Sequence, residues 1–499
     1  MSDVRLRFSG MVRFISAIVS VFTGLAFTTL ITRNLSSVEY GEWSIIGSLM
    51  IYGVMPALGL GYWYTRYTAR ELPIARYGVF LTSIFSLGGV LAFFTAAIIF
   101  IDEFENLFPI LLVASLQVIT GSLIHSLNAI SNGKKPEFQA YGTLIFEIVK
   151  VIIAFAMVYG LGNFSLIDVI YVLIISQIIQ IISLSSMIRK EIKKKVEIKN
   201  IKKIIKSLWI PLYDRMSDVV FTSDILVVTL LTSSFVQVTV FKIAFVFSAM
   251  AEFGLSFTYP LYIKLLGGGK SIDIVTSIKM VVLFTLPIVV GTIILAKPLL
   301  FLLNPDYVSS EFILQILSLY SLSLVFGVVF QNIILGTERV DVMGKFSQKD
   351  LIHSNLFKLP TIDLIFKSVY LVAITVLTLV IWNDEISFVE FGQIWAFVLL
   401  ITNIPFTIYK LILAKKILAF SFPLKAISKY LAASILMGFL TFYMVTLVDY
   451  SNSEAISFAP QIIGLIGISA GFYFAVMSTI DKETRELFKA AFTTIRNFM

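Results

Sequence analysis

The basic residues of this chain are concentrated on every second loop between its apolar segments. Most of the 39 lysines and arginines follow this rule, and in the opposite set of loops only Arg33 breaks it. Those opposite loops carry acidic residues instead, among them Asp102, Asp306 and Asp384. Because lysine and arginine are retained on the cytoplasmic side of a membrane, the pattern predicts a multi-pass protein of the cytoplasmic membrane with both termini in the cytoplasm.

The apolar segments have the length of membrane-spanning helices, which need roughly 20 residues to cross a bilayer. We predict an all-α polytopic membrane protein with about 14 such helices. The predicted spans are residues 11–32, 43–64, 77–101, 107–130, 141–159, 166–188, 207–231, 238–262, 280–303, 312–335, 369–382, 391–413, 427–448 and 461–480.

The composition excludes several classes of protein. Hydrophobic residues make up 58% of the chain and charged residues 14%, which is not the balance of a soluble domain. The formal charge of +8 lies in loops that face anionic lipid, so we predict no nucleic-acid partner. The chain has no cysteine and two histidines, which excludes disulfides and thiolate sites and leaves too few histidines for a metal cluster. We therefore predict no metal and no cofactor.

The most highly charged segment divides the chain. Residues 189–206 contain nine basic residues in eighteen and separate six predicted spans from eight. We predict a basic cytoplasmic linker here, either an amphipathic helix on the membrane surface or a solvated loop. Six-plus-six repeats are a recurring transporter plan. The prediction is an N-lobe over 1–188, a C-lobe over 207–413, and two additional helices with a cytoplasmic tail over 414–499.

A faint internal repeat favours this division into two six-helix lobes around a central cavity. When the chain is laid over itself at an offset of 200 residues, six residues recur without a gap across a helical hairpin. Leu30, Thr32, Val38, Ser48, Met50 and Tyr62 recur as Leu230, Thr232, Val238, Ser248, Met250 and Tyr262.

The seventh predicted span contains four ionisable residues, although each one costs about 2.5–3.5 kcal/mol inside a membrane. They are Asp214, Arg215, Asp218 and Asp224. One interpretation is structural: Arg215 pairs with Asp218 three residues away, and Asp224 pairs with Lys242 of the next span. The other is functional, because the acids outnumber the bases and an acid could couple transport to a cation or proton. The candidates for coupling are Asp214, Asp218, Asp224 and Glu252.

Basic residues in or beside the spans are candidates for binding an anionic head group. The planar guanidinium fork donates two hydrogen bonds to one phosphate. The candidates are Arg13, Arg66, Arg215 and Lys242. For Arg66 the alternative is ordinary anchoring at the cytoplasmic surface. Glu147 and Lys150, three residues apart in the fifth span, are predicted to pair with each other.

Three short motifs resemble those of a known family. Residues 32–43 read TRNLSSVEYGEW, residues 57–61 read ALGLG before Arg66, and residues 330–336 read FQNIILG. They resemble the signature of polysaccharide flippases, the Wzx-type lipid-linked oligosaccharide translocases of the multidrug/oligosaccharidyl-lipid/polysaccharide exporter superfamily. The resemblance implies a two-lobed bundle that accepts the head group of a polyprenyl-linked glycan while the lipid tail stays in the bilayer. It also implies that Arg13 on the first helix lines the cavity.

The resemblance leaves two other functions to be weighed. A drug or metabolite exporter of the same superfamily would bind organic cations through acids such as Asp218. A membrane glycan polymerase or ligase would need a large outward loop with catalytic residues, and every predicted outward loop is short, so we predict that the protein is not an enzyme. The expected partners are a lipid-linked oligosaccharide, membrane lipid and glycan-assembly proteins. A cavity between two lobes of one chain needs no second subunit, so a monomer is expected.

Overall fold

The computed structural model describes residues 3–69, 72–101, 107–161, 164–194, 205, 208–266, 269–338, 352–382, 386–450 and 455–486. This part of the chain is helical and contains no strand, which confirms the predicted all-α fold. It divides into two compact units. Unit 1 consists of Met1–Thr239 and Thr375–Val380, and unit 2 of Val240–Ile374 and Ile381–Met499. The lobe boundaries inferred from the sequence stay a prediction.

Unit 1 contains the first seven predicted spans. Its helices are α1 Asp3–Asn34, α2 Ser37–Ala69, α3 Ala75–Ile101, α4 Leu107–Lys134, α5 Pro136–Leu161, α6 Leu166–Met187, the short α7 Arg189–Ile192, and α8 Trp209–Thr232. The next helix, α9 Val236–Ser248, begins in unit 1 and ends in unit 2.

Unit 2 continues from α9 with a 3-10 helix, Ala249–Phe257, and contains the remaining spans except for Thr375–Val380. Its further helices are α10 Thr258–Leu266, α11 Ser271–Ile294, α12 Ala296–Leu303, a second 3-10 helix Pro305–Ser310, α13 Glu311–Thr337, α14 Asn355–Ile381, α15 Phe388–Ile417, α16 Leu424–Val445 and α17 Ala455–Ile480.

Twelve segments of the described chain are long and apolar enough to cross a membrane. They correspond to the second to sixth and the eighth to fourteenth predicted spans. The other two predicted spans are helices as well: α1 has 32 residues and α8 has 24. Many side chains in the first half of α1 lie outside the described residues, and α8 carries four ionisable residues. The protein is an all-α polytopic membrane protein.

Three spans differ from the prediction. The ninth lies at Ser271–Ile294 and not at 280–303, because Asp273 caps its start with a hydrogen bond from the Lys270 amide. The eleventh begins at Asn355 and not at 369, so the loop between the predicted spans 312–335 and 369–382 is shorter, and its residues 339–351 lie outside the described residues. The eighth span is not one α-helix, since nine residues in its middle form the 3-10 helix Ala249–Phe257.

Helix α2 is the central element of unit 1, packing on α3, α4 and α8. Its backbone approaches α3 so closely at Gly53 and Gly89 that a Cβ at Gly89 would overlap the Gly53 carbonyl oxygen. Further towards the C-terminal end of α2, the buried Tyr64 hydroxyl donates to the Gly78 carbonyl oxygen of α3 at 3.0 Å. Small residues therefore let α2 sit between its neighbours, as is common where membrane helices pack.

The two C-terminal helices of unit 2 pack on the ninth span. The hydroxyl of the fully buried Tyr473 in α17 donates to the Leu283 carbonyl oxygen of α11 at 2.8 Å. A Cβ at Gly438 of α16 would lie 2.8 Å from the Ile294 side chain, so α16 also approaches α11 closely. These helices are thus anchored to α11 by packing and by a hydrogen bond in the membrane interior.

The beginning of the predicted linker is fixed to unit 1. Glu191 of α7 pairs with Lys134 at the end of α4, at 3.3 Å, and with Lys194, at 2.7 Å. Burial raises the pKa of the Glu191 carboxyl, but hydrogen bonds from Lys194 and Lys134 outweigh it and hold this pKa below its ordinary value. The rest of the linker, residues 195–204 and 206–207, lies outside the described residues.

Candidate binding site on helix α8

A charged surface runs along one side of α8 in unit 1. Arg215 Nη1 donates to Asp218 Oδ2 at 3.1 Å, and Arg215 Nε lies 4.0 Å from Asp214 Oδ2. The structural interpretation of the sequence predicts a pair between Arg215 and Asp218, and the structure contains this pair. We refer to Asp214, Arg215 and Asp218 as the α8 triad.

The side chains of the α8 triad are accessible at the protein surface, although the sequence predicts that α8 spans the membrane. The side chains are 52%, 48% and 40% exposed for Asp214, Arg215 and Asp218. From Trp209, Arg215 lies about 9 Å and Asp218 about 14 Å along the helix axis. Charged groups at such depths face a bundle interior or a hydrated cavity, because hydrocarbon would not solvate them. This side of α8 therefore lines a water-accessible space.

Packing on α2 fixes the orientation of the α8 triad. Leu208 and Leu212 lie against Gly59 of α2, where a Cβ would meet their methyl groups at 3.0–3.1 Å. Eleven residues further along α8, Ser223 forms a 2.6 Å hydrogen bond with the hydroxyl of Tyr52 in α2. Since 212, 216, 219 and 223 share one helix face, the contact with α2 turns the triad to another side.

His125 of α4 is a site residue that the sequence reasoning missed. Its imidazole lies within electrostatic range of the Arg215 guanidinium. Helix α4 is held there by α2, because a Cβ at Gly61 would contact Ala129 at 3.4 Å. The glycines at 59 and 61 thus let α8 and α4 each pack closely against α2. No local pattern reveals this, but His125 is one of only two histidines and lies inside a predicted span.

The other residues predicted for the site are distributed elsewhere. Asp224 is buried, with 4% exposure, and lies two turns beyond Asp218 on α8. Arg13 lies on α1 and Arg66 on α2, but their side chains are outside the described residues. Lys242 and Glu252 belong to unit 2: the Lys242 ammonium lies 5.2 Å from the Phe245 ring centroid, and Glu252 lies in the 3-10 helix Ala249–Phe257.

A second polar cluster in unit 1 is enclosed. Glu147 and Lys150 pair at 2.8 Å on α5, as predicted, and Thr23 of α1 donates to the same Glu147 oxygen at 2.8 Å. The Lys150 ammonium also lies 4.9 Å from the Phe27 ring and 5.0 Å from the Phe146 ring. The Lys150 side chain is 8% exposed, so the cluster joins α1 to α5 rather than presenting a charge to a ligand.

Unit 2 contains a corresponding enclosed cluster that the sequence did not suggest. Lys410 of α15 pairs with Asp363 of α14 at 2.7 Å and donates to Gln331 of α13 at 2.9 Å. The side chains of Lys410 and Asp363 are 10% and 18% exposed. Across the described ranges, no group of three or more His, Cys, Asp or Glu side chains is arranged to hold a metal ion.

Comparisons with known proteins identify the fold. The lipid II flippase MurJ in an inward closed conformation is similar over 95% of this chain and 99% of its own, with a TM-score of 0.54 and 16% identity. An inward-facing multidrug resistance MATE family transporter of the MOP superfamily has a TM-score of 0.59 and 12% identity, over 82% of this chain and 98% of its own. An outward-facing multidrug resistance MATE family transporter of the MOP superfamily has a TM-score of 0.54 and 13% identity, over 83% of this chain and 94% of its own.

At the level of sequence, no family model matches the chain and no curated protein matches it. The similarity to solved structures therefore lies in the arrangement of the helices. This chain is an all-α polytopic membrane protein with the fold of MurJ and of MATE transporters of the MOP superfamily.

Proposed function

We propose that this protein translocates a polyprenyl-phosphate-linked oligosaccharide across the cytoplasmic membrane by alternating access, for the assembly of cell-surface glycans. The observation that carries this proposal is the 48% exposed Arg215, which has two acidic neighbours and lies on a helix that the sequence predicts to span the membrane. A guanidinium group there can meet a phosphate head group in water while the lipid tail remains in the bilayer.

The fold supports the proposal through the number of helices. The MurJ structure covers 95% of this chain, whereas the two MATE structures cover 82% and 83%. The share left uncovered is close in size to residues 414–499, which contain α16 and α17. A chain that carries these two helices is closer in extent to the flippase than to the MATE transporters.

Transport by alternating access requires two states with different affinities for the substrate. The chain is similar to MATE transporters in inward-facing and in outward-facing conformations, with TM-scores of 0.59 and 0.54. In the proposed cycle the head group binds Arg215 when the site is open to the cytoplasm, and Arg13, Arg66 and Lys242 add further positive charge. Asp214, Asp218, Asp224 and Glu252 are the proposed residues for coupling to a cation or proton.

Export of small molecules, in the manner of a MATE transporter, is the second candidate. It is favoured by the charge of the α8 triad, in which two exposed carboxylates accompany one guanidinium. An organic cation would bind those carboxylates and not Arg215. The two functions therefore respond in opposite ways to substitutions: Arg215→Ala abolishes flipping, whereas Asp218→Asn abolishes cation export.

The proposed function is tested in cells that lack the gene. Lipid-linked oligosaccharide on the cytoplasmic leaflet is quantified with rescue by the wild type, Arg215→Ala or Arg13→Ala. We expect complete precursors to accumulate in the deletion strain and to be cleared by the wild type alone. Normal precursor levels in the deletion strain would contradict the flippase function and favour export of a small molecule.

The remaining features of the proposal follow from the sequence. The protein acts as a transporter and not as an enzyme, works as a monomer, and has both termini in the cytoplasm. Its proposed partners are the lipid-linked oligosaccharide, the surrounding lipid and the proteins that assemble the glycan.

A further inference from the structure

We propose that Asp218 is an internal counter-ion that occupies Arg215 while the site is empty and is displaced by the phosphate of the substrate. Binding would then exchange an ion pair within α8 for one between Arg215 and the head group. The inference rests on the proposed function, and it assigns to Asp218 a role in selecting the substrate that does not require a coupling ion.

The geometry of the pair leaves room for such an exchange. Among the described residues, Nη1 is the one nitrogen of Arg215 that donates a hydrogen bond, to a single oxygen of Asp218 at 3.1 Å. The Nε atom lies 4.0 Å from Asp214, which is beyond hydrogen-bond distance. A guanidinium group has five N–H donors in a rigid fork. A phosphate that takes two of them side by side binds more strongly than the single contact it replaces.

The exposure of the pair makes it exchangeable. Ion pairs between exposed side chains three residues apart on a helix contribute little to stability. Both Arg215 and Asp218 are 40% or more exposed, so water or a ligand can reach the contact. The enclosed pair between Lys410 and Asp363 lacks this access, with side-chain exposures of 10% and 18%. Of these two pairs, the one on α8 is the more accessible to a ligand.

The exchange has a consequence for selectivity and for the return of the empty carrier. A neutral or cationic ligand cannot replace a carboxylate on Arg215, so the site accepts an anion. After release, Asp218 pairs again with Arg215, and the carrier returns without an uncompensated guanidinium in the membrane interior. Asp218 is therefore a specificity-determining residue that acts through Arg215.

The test measures binding of farnesyl pyrophosphate, a soluble isoprenoid pyrophosphate, to the full-length protein in detergent. Asp218→Asn removes the competing charge and keeps the size of the side chain, and Asp218→Glu keeps the charge. We expect Asp218→Asn to bind the probe about three- to tenfold more tightly than the wild type. The gain is limited because Asp218, in a weak exposed pair, occupies the Arg215 guanidinium for only part of the time. Asp218→Glu should bind like the wild type.

Arg215→Ala separates this competition from a general effect of charge. In the Arg215→Ala background, Asp218→Asn should give no gain in affinity, since no guanidinium remains to be released. A gain of the same size in that background would overturn the inference. Asp218→Ser, measured with the same probe, replaces Asp218→Asn if the latter does not elute as a folded protein in size-exclusion chromatography.

The two proposals fail in different ways. If the wild type binds farnesyl pyrophosphate through Arg215 and Asp218→Asn binds no more tightly, Asp218 is no counter-ion, and the flippase function stands. If neither the wild type nor Asp218→Asn binds better than Arg215→Ala, Arg215 is no phosphate site, and both proposals are contradicted.

Discussion

The ion pair on α8 and the ion pair between α14 and α15 each join a basic residue to an aspartate, but their surroundings are opposite. Arg215 and Asp218 lie on one helix and are 48% and 40% exposed. Lys410 and Asp363 lie on different helices, are 10% and 18% exposed, and include Gln331 of a third helix. The comparison shows that a charge inside a membrane span has two uses. An enclosed pair fixes helices to each other, whereas an exposed pair within one helix remains accessible to a ligand.

The largest effect is expected at the enclosed pair of unit 2. Lys410→Met leaves Asp363 buried without its counter-ion, and removing one partner of a buried pair costs about 3–5 kcal/mol. We expect the free energy of unfolding, measured by titration with SDS, to fall by that amount. The double variant Lys410→Met with Asp363→Asn should recover much of the loss, because no uncompensated charge is left. If Lys410→Met were as stable as the wild type, the enclosed pair would not have the structural role that distinguishes it from the exposed pair.

The enclosed pair of unit 1 should respond in the same direction by a smaller amount. Glu147→Gln leaves Lys150 without a carboxylate, but the rings of Phe27 and Phe146 still stabilise its ammonium group. We expect a loss of about 2–3 kcal/mol in the same unfolding measurement. Lys150→Met with Glu147→Gln is the matched control. A loss as large as that of Lys410→Met would mean that the rings contribute nothing.

Substitution in the exposed pair on α8 should affect ligand binding more than stability. Arg215→Ala is expected to change the free energy of unfolding by less than about 1 kcal/mol, since exposed pairs are weak. Binding of an isoprenoid pyrophosphate should fall by about tenfold to a hundredfold, because hydrogen bonds to charged groups contribute about 1.5–3 kcal/mol. Unfolding and binding are measured on the same preparation. A stability loss like that of Lys410→Met would place Arg215 among the structural pairs.

The smallest effect is expected at the cytoplasmic surface, where Glu191 holds the start of the linker to α4. The pKa of this carboxyl lies below its ordinary value of 4.5. A carboxyl with a lowered pKa stabilises the folded state above its ordinary pKa, and this contribution is lost as the pH falls through the lowered value. We expect amide protection at Arg189–Ile192 to decrease below about pH 4.5 by less than about 1 kcal/mol. Glu191→Gln should abolish this pH dependence.

The sequence predicted much of the fold because hydropathy and loop charge are local properties. Twelve predicted spans match apolar helices. The eleventh span was predicted too short because Asp363 and Lys367 resemble loop residues. The partner of Asp363 is Lys410, 47 positions further along the chain, and no local pattern reveals such a pair. The 3-10 helix Ala249–Phe257 was missed for a similar reason, since its packing on α11 through Gly254 is a tertiary contact.

The candidate site was predictable only where its residues are neighbours in the sequence. Arg215 and Asp218 are three residues apart on a helix, so their pairing follows from helical geometry. Their exposure does not, because it depends on how Gly59 and Tyr52 of α2 turn α8. No short motif in the sequence predicts that His125 of α4 lies within electrostatic range of Arg215.

Flipping in proteoliposomes tests the central claim, that the exposed pair on α8 marks the transport site. Purified wild-type protein, Arg215→Ala and Glu147→Gln are reconstituted with a polyprenyl pyrophosphate-linked oligosaccharide, and its transfer between leaflets is followed by accessibility to an external glycosidase. The account predicts transfer by the wild type, transfer by whatever fraction of Glu147→Gln is folded, and none by folded Arg215→Ala. Transfer by Arg215→Ala at the rate of the wild type would contradict it.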